Sequence, residues 1–146
     1  MFSSVLVVCV GNICRSPMGE ALFRALCKKN GKEIIFGSAG VSALVGFAAD
    51  DKAQALMFEK DIDISTHCAV QLTRDVSLGF DLILVMEKGH IRVVEQMLPE
   101  SRGKVHLLGK WNQDEEIADP YKKNEAHFLA SFSAIERGVK SWMEYL

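Results

Sequence analysis

The nine residues from Cys9 to Pro17 combine the side chains that a phosphate-transfer site needs. They read Cys-Val-Gly-Asn-Ile-Cys-Arg-Ser-Pro, with Cys9 and Arg15 six positions apart. A thiolate is a strong nucleophile, and a guanidinium group is a planar fork of donors that can grip two phosphate oxygens at once. The spacing therefore predicts a site that holds a phosphate-sized dianion against a sulfur nucleophile, as a phosphatase with a cysteinyl-phosphate intermediate requires.

The elements around this motif must present it as an anion site. A run of apolar residues precedes it and predicts a strand that delivers Cys9 to the end of a sheet. Gly11 and Asn12 suit an inward-curling loop, because both tolerate left-handed backbone angles. Ser16 is predicted to be the N-cap of the next helix and Pro17 its first residue, so that unpaired N–H groups aim at the loop and favour a Cys9 thiolate. The predicted phosphate-binding loop comprises Val10, Gly11, Asn12, Ile13, Cys14 and Ser16 beside Arg15.

A second pair, Cys68 and Arg74, has the same spacing. The residues between them include no glycine, and the sequence predicts neither a strand before them nor a capped helix after them. We interpret this second match as coincidence.

Composition narrows the class of protein. The chain has 146 residues, 49% of them hydrophobic and 25% charged, with a net charge of −2. These values predict a single globular domain spanning residues 1–146. They give no electrostatic argument for nucleic acid or a membrane surface. No apolar run is long enough to insert into a bilayer, and no basic segment precedes the first apolar run, so we expect a cytoplasmic protein.

The four cysteines are Cys9, Cys14, Cys27 and Cys68. None belongs to a Cys-x-x-Cys motif or to a Cys/His cluster of zinc-finger type. We therefore expect free thiols in a reducing compartment, no metal site and no cofactor.

Strand-like and helix-like segments alternate along the chain. Strands are predicted over Val5–Cys9, Ile34–Phe36, Asp81–Met86 and Lys104–Leu108. Helices are predicted from Pro17 to about Lys29, over Ala49–Lys60, around Ile91–Leu98 before Pro99, and from Phe128 to Leu146, with a polar loop from Gly109 to Lys123. This order predicts a three-layer α/β/α fold with a four-stranded parallel sheet, whose ligands bind at the carboxyl ends of the strands.

A phosphatase of this kind also needs an acid that protonates the leaving group. The best candidate is Asp119, in the sequence Asp-Pro-Tyr. Pro120 stiffens the loop, and Tyr121 offers a flat surface to an aromatic substrate. Asp114 and the two glutamates after it could raise the pKa of this acid through like-charge repulsion.

With these residues together, the chain resembles the low-molecular-weight protein tyrosine phosphatases along nearly its whole length. The resemblance rests on Val8–Pro17, Ser38-Ala39-Gly40, His67 with Gln71, and Asp119-Pro120-Tyr121. It implies that Cys9 is the nucleophile, that Arg15 binds the phosphoryl group and that Asp119 is general acid and then general base. It also implies that Asn12 shapes the loop through a polar network, for which Ser16, Ser38 and His67 are the expected partners.

Other segments resemble the bacterial branch of that family encoded with capsule or exopolysaccharide export systems. They are Gly40–Gly46, Thr66–Ala69, Met86–Lys88 and Arg102–Val105. The resemblance implies a phosphotyrosine protein as partner, namely the cytoplasmic, tyrosine-rich tail of a membrane tyrosine autokinase, and we expect the phosphatase to be a monomer or a weak dimer. Cys68 stands where many relatives have a basic residue but is a feature of this branch.

Other functions are possible on the same fold, and the predicted substrate-pocket residues help to distinguish them. These residues are Ile13, Leu44 and Tyr121. An apolar Ile13 and a nearby Tyr121 favour a slot for a phenyl ring. A protein arginine phosphatase of the same fold would carry threonine at the position of Ile13. An arsenate reductase would need two further relay cysteines, and only Cys68 is available downstream. A non-catalytic phosphotyrosine-binding module would have lost Cys9, Arg15 or Asp119, and this chain has all three.

Two residues, His67 and Cys14, have competing interpretations. His67 is more typical of a structural hydrogen-bonder than of a catalyst, because Asp119 already fills the acid role. Cys14 is either a packed loop residue or a partner that forms a disulfide with Cys9 under oxidation, and we favour the disulfide, which would protect the nucleophile from over-oxidation.

Overall fold

The structure is a computed structural model that describes residues 2–146. Four strands form its sheet: β1 (Ser4–Cys9), β2 (Ile35–Gly40), β3 (Leu82–Val85) and β4 (Val105–Leu107). Five α-helices accompany them: α1 (Arg15–Lys29), α2 (Asp51–Glu59), α3 (Arg74–Leu78), α4 (Lys88–Met97) and α5 (Glu125–Met143). A 3₁₀ turn, Pro99–Ser101, follows α4. In the part of the chain described, no helix is both long and apolar enough to cross a bilayer.

The sheet is parallel throughout, in the order β2-β1-β3-β4. Every residue of β1 and β3 is buried, as expected for central strands covered on both faces. Val5 and Val7 belong to one hydrophobic cluster, with side chains of α1, α2 and α5. Leu6 and Val8 point to the opposite face and belong to a second cluster beneath α4. The predicted three-layer α/β/α fold with a four-stranded parallel sheet is confirmed.

Strand β2 is longer than predicted. The sequence pattern ends at Phe36 because Gly37 and Gly40 lower the strand propensity, yet pairing with β1 continues to Gly40. A β-carbon on Gly37 would lie 2.7 Å from the Phe80 ring, so close packing between layers explains this glycine.

Two predictions about helix starts are wrong. Helix α1 begins at Arg15 with Cys14 as N-cap, so Ser16 is not the cap and Pro17 is not the first residue. The Ser16 hydroxyl instead contacts Cys9 and Asn12.

A capped helix does follow the Cys68–Arg74 match. Helix α3 begins at Arg74, and the Thr73 hydroxyl accepts a hydrogen bond from the Val76 N–H. Its five residues are too few to produce a periodic apolar pattern, which is why the sequence gives little sign of this helix. Cys68 itself follows no regular strand, so the match still lacks the strand-loop-helix context of the first one.

Candidate active site

The functional side chains converge at the carboxyl edge of the sheet. Cys9 is the last residue of β1, and Arg15 opens the helix that follows it. Glu87 comes two residues after β3, and Asp119 lies in the loop between β4 and α5. Parallel strands bring their carboxyl ends to one edge, so residues more than 100 positions apart meet there.

The phosphate-binding loop turns its carbonyl groups outward. Five successive carbonyl oxygens accept hydrogen bonds from groups outside the loop: Cys9 from Val41 N–H (3.0 Å), Val10 from Ser42 N–H (3.0 Å), Gly11 from Leu44 N–H (3.1 Å), Asn12 from His67 Nε2 (2.7 Å) and Ile13 from Asp50 N–H (2.8 Å). Among residues 2–146, no acceptor receives the N–H groups of residues 11–14. These N–H groups, with those of the first turn of α1, are therefore available to an anion in the loop.

Asn12 organises the loop from within. It is fully buried, and its backbone has a φ of 60°, a left-handed conformation that asparagine tolerates. Its Nδ2 donates to Ser16 Oγ (2.7 Å) and Ser38 Oγ (3.0 Å), and its Oδ1 accepts from Val70 N–H (2.8 Å). All three partners expected for Asn12 contact it, although His67 contacts its carbonyl rather than its side chain. Gly11 does not use a left-handed angle.

The glycine that ends β2 makes room for this network. A β-carbon on Gly40 would meet the Val10 carbonyl oxygen and would lie 3.1 Å from the Asn12 β-carbon. Any larger residue at position 40 would therefore displace the loop.

Cys9 contacts a hydroxyl that can donate to its sulfur. Its Sγ is 3.0 Å from Ser16 Oγ. Because Ser16 Oγ already accepts from Asn12 Nδ2, the Ser16 proton is free to point at sulfur. Such a hydrogen bond stabilises a thiolate and later a departing thiolate.

Arg15 is 1% exposed and is anchored along one edge of its guanidinium group. Its Nη1 donates to Glu87 Oε2 (2.6 Å) and to the Ile117 carbonyl oxygen (2.7 Å). Nη2 lies 3.8 Å from Asp119 Oδ2. Nε and Nη2 therefore remain for two phosphoryl oxygens, which is the fork that the sequence predicts for Arg15.

Sequence reasoning missed the anchors of Arg15. Glu87 belongs to the Met86–Lys88 segment that carries the family resemblance, but the resemblance assigns it no role. A sequence signal for Glu87 does exist. It is an acidic residue that directly follows a predicted buried strand, at the edge of the sheet where a buried arginine needs a counter-charge. His90 Nε2 lies 3.5 Å from Glu87 Oε2, and burial together with the Arg15 charge lowers the pKa of His90, which favours the neutral form of its ring. No sequence signal pointed to the Ile117 carbonyl.

Asp119 lies in a more open part of the site. Its side chain is 47% exposed, and its Oδ1 accepts the Tyr121 N–H (3.1 Å), an Asx turn that sets the loop. Two of the neighbouring carboxylates, Glu115 and Glu116, have hydrogen-bond partners of their own. Glu115 pairs with Arg137, and this hydrogen bond lowers the pKa of Glu115. Glu116 accepts the Lys88 N–H (3.4 Å).

A pocket of about 160 Å³ joins these groups. Its floor and walls are formed by Cys9, Val10, Gly11, Ile13, Cys14, Arg15, Ser42, Leu44, Asp119 and Tyr121. The three residues predicted to line the substrate pocket, Ile13, Leu44 and Tyr121, are all present. Ser42 was not foreseen. Ser38 and His67 stay behind the loop as supports.

Cys14 also lines the pocket, but its environment opposes ionisation. Burial, reinforced by the Asp50 carboxylate, raises the pKa of the Cys14 thiol. Cys9 and Cys14 are both free cysteines.

Comparison with known proteins identifies the class. The family model described as low molecular weight phosphotyrosine protein phosphatase matches residues 4–146. The chain therefore belongs to this family and is a protein-tyrosine phosphatase.

Within the family, the chain is similar to Wzb enzymes. It is 44% identical to the low molecular weight protein-tyrosine-phosphatase Wzb of Escherichia coli K12, over 100% of this chain and 97% of that protein. The structure of Vibrio vulnificus Wzb in complex with benzylphosphonate has a TM-score of 0.94 and 38% identity, with 100% of both chains covered. These matches confirm the bacterial branch indicated by the sequence.

A more distant solved structure bears on one alternative. It is a YwlE arginine phosphatase with a phosphorylated active-site serine, 28% identical, with a TM-score of 0.92 over 98% of this chain and 95% of that one. The fold alone therefore does not separate phosphotyrosine from phosphoarginine, and the pocket residues must do so.

Proposed function

We propose that Cys9 attacks the phosphorus of phosphotyrosine in line and forms a cysteinyl-phosphate. The observation that carries the proposal is that Cys9 and Arg15 line one pocket with a loop whose backbone N–H groups at residues 11–14 have no acceptor among residues 2–146. These donors stabilise negative charge on the equatorial oxygens of the phosphoryl group. The loop thus supplies the positive charge that a metal ion would otherwise bring.

Asp119 is proposed to protonate the departing tyrosine oxygen as the P–O bond breaks. The resulting carboxylate then takes a proton from water, which attacks the cysteinyl-phosphate and releases the Cys9 thiolate with inorganic phosphate. The partial exposure of Asp119 supports this double role, because the second step needs water at the same place as the leaving group in the first.

The nucleophile is tested by Cys9→Ser with p-nitrophenyl phosphate in the presence of EDTA. We expect the parent enzyme to be active under these conditions and the variant to lose turnover. Cys27→Ser is the matched control, because Cys27 is a buried thiol that does not line the pocket. Retained turnover in Cys9→Ser would contradict the proposed nucleophile.

The preferred side chain is proposed to be phosphotyrosine rather than phosphoarginine. Apolar Ile13 and Leu44 with Tyr121 form a slot for a phenyl ring. Benzylphosphonate, bound by Vibrio vulnificus Wzb, has the same ring-and-phosphoryl shape. Matched phosphotyrosine and phosphoarginine peptides test the preference. Faster hydrolysis of phosphoarginine would reverse the assignment.

The proposed partner is the tyrosine-rich tail of a bacterial tyrosine autokinase in the cytoplasm. Similarity to Wzb supports this partner, and the test is release of phosphate from such a phosphorylated tail by the parent enzyme. Binding without turnover by Cys9→Ser would support a direct complex. A tail that is neither bound nor hydrolysed would exclude this partner.

Cys14 is proposed to trap oxidised Cys9. Peroxide converts the Cys9 thiolate to a sulfenic acid, and the Cys14 sulfur displaces water from it to form a disulfide. The raised pKa of Cys14 makes this step slow near neutral pH. Mass spectrometry after peroxide treatment should find the linked pair, and Cys14→Ser should over-oxidise irreversibly. If a thiol reductant restores the activity of the peroxide-treated parent enzyme and of Cys14→Ser equally, Cys14 does not protect Cys9.

A further inference from the structure

One side of the pocket mouth carries exposed apolar side chains. We define the apolar ledge by four residues that are 37–65% exposed: Val10, Val45, Phe47 and Val70. Val10 and Leu44 line the pocket itself, so the ledge begins at the pocket wall.

Backbone hydrogen bonds join the segments that carry the apolar ledge. Gly46 N–H donates to the Ala69 carbonyl oxygen (3.1 Å), and Ala69 N–H donates to the Phe47 carbonyl oxygen (2.9 Å). Both segments are also tied to the phosphate-binding loop, through Leu44 N–H to the Gly11 carbonyl (3.1 Å) and Val70 N–H to Asn12 Oδ1 (2.8 Å). The ledge is therefore held in a fixed position relative to Cys9.

The charge around the pocket mouth is uneven. Residues 37–49 and 64–73, which carry most of the ledge, contain no Asp, Glu, Lys or Arg. The loop on the Asp119 side has four carboxylates and two lysines between residues 114 and 123. A bound polypeptide that extends from the pocket thus meets an uncharged, apolar surface on one side and a charged one on the other.

We propose that the apolar ledge binds an aliphatic or aromatic side chain of the phosphoprotein, one or two residues from the phosphotyrosine. An extended chain advances about 3.3 Å per residue, so a flanking side chain reaches the rim while the phosphotyrosine fills the pocket. Burying it against Phe47 and Val45 removes apolar surface from water on both partners. The inference rests on the proposed phosphotyrosine activity and adds a substrate class to it.

The test uses synthetic phosphotyrosine peptides that carry leucine, serine or glutamate at the two positions on either side. For the parent enzyme we expect kcat/KM to be about ten-fold higher with leucine than with serine, because leucine partly buries one apolar side chain against the ledge. Phe47→Ser and Val45→Ser should each reduce this preference and together abolish it. Hydrolysis of p-nitrophenyl phosphate, which has no flanking residues, should change less than two-fold.

Phe58→Ser is the matched control. Phe58 is a more exposed phenylalanine (72%) on α2, near the end remote from the phosphate-binding loop. It should leave the peptide preference intact. A parent enzyme without preference, or a preference that survives the double ledge variant, would overturn the apolar ledge. Absence of turnover on p-nitrophenyl phosphate and on every peptide would instead overturn the proposed function.

Discussion

The two halves of the active site are built in opposite ways. On the nucleophile side, Asn12, Arg15 and Ser16 are at most 1% exposed, and each makes hydrogen bonds to other protein groups. On the acid side, Asp119 and Tyr121 are exposed by more than a third. The difference indicates a division of labour. Charge stabilisation needs donors fixed in advance, whereas the acid must meet both a leaving group and incoming water.

The strongest test of the fixed side is Arg15→Lys. Lysine keeps the charge but cannot bond Glu87 and the Ile117 carbonyl while also presenting a fork to phosphate. We expect kcat/KM for p-nitrophenyl phosphate to fall on the order of 10³-fold, as for arginines that stabilise phosphoryl transfer. Arg24→Lys, on the same helix but paired with Glu20 at the surface, is the control. A loss below ten-fold would mean that geometry matters less than charge.

The open side is tested by Asp119→Asn. Asparagine cannot donate the proton that a poor leaving group needs, so hydrolysis of phenyl phosphate should slow by about 10²-fold. p-Nitrophenyl phosphate, whose leaving group is far less basic, should slow much less. Asp114→Asn lies in the same loop and serves as control. Equal losses on the two substrates would remove Asp119 from the acid role.

Cys14, on the nucleophile side of the site, should make the free energy of unfolding depend on alkaline pH. The folded protein holds the Cys14 proton more tightly than the unfolded chain, so the stabilisation is full below the ordinary thiol pKa of about 8.5 and is lost as pH rises above it. We expect the free energy of unfolding to fall by up to about 1.4 kcal/mol per pH unit from this group. Urea titrations between pH 8 and 10 measure it. Cys14→Ala should remove that component, whereas Cys27→Ala should keep it.

The smallest effect concerns the ion pair behind the acid loop. Arg137 bonds Glu115 through Nε (3.1 Å) and Nη2 (2.7 Å), but its side chain is 53% exposed. Arg137→Ala should therefore cost no more than about 0.5 kcal/mol of stability. It should leave kcat within two-fold. Thermal unfolding and p-nitrophenyl phosphate kinetics check both expectations, and a large loss of kcat would show that this pair positions Asp119.

The same contrast between the two sides explains which site residues can be predicted from the sequence. The nucleophile side is contiguous, so spacing, glycine tolerance and a preceding apolar run predicted Cys9, Arg15 and their loop together. Asp119 could be found only by asking what chemistry remained unfilled. The sheet followed from strand-helix alternation, because buried parallel strands are near-continuous apolar runs.

The errors arose where a side chain served tertiary structure instead of its local preference. Ser16 has the residue type of an N-cap, yet its hydroxyl lies against Cys9 and Asn12, and the helix starts at Arg15, two residues before the predicted start. Glu87 has no periodic signal, because its role depends on an arginine 72 positions away. Such pairings are set by the meeting of strand ends, which a local pattern does not encode.

The anchoring of Arg15 also bears on how the protein is made. The guanidinium of Arg15 is synthesised before its two anchors, which come from Glu87 and Ile117 later in the chain. Until those residues are synthesised and their strands join the sheet, a buried charge would stand unpaired, at a cost of about 3–5 kcal/mol. A nascent chain or proteolytic fragment that ends before residue 117 thus carries the complete nine-residue motif without a stable phosphate site. Activity during biosynthesis should therefore appear late and all at once.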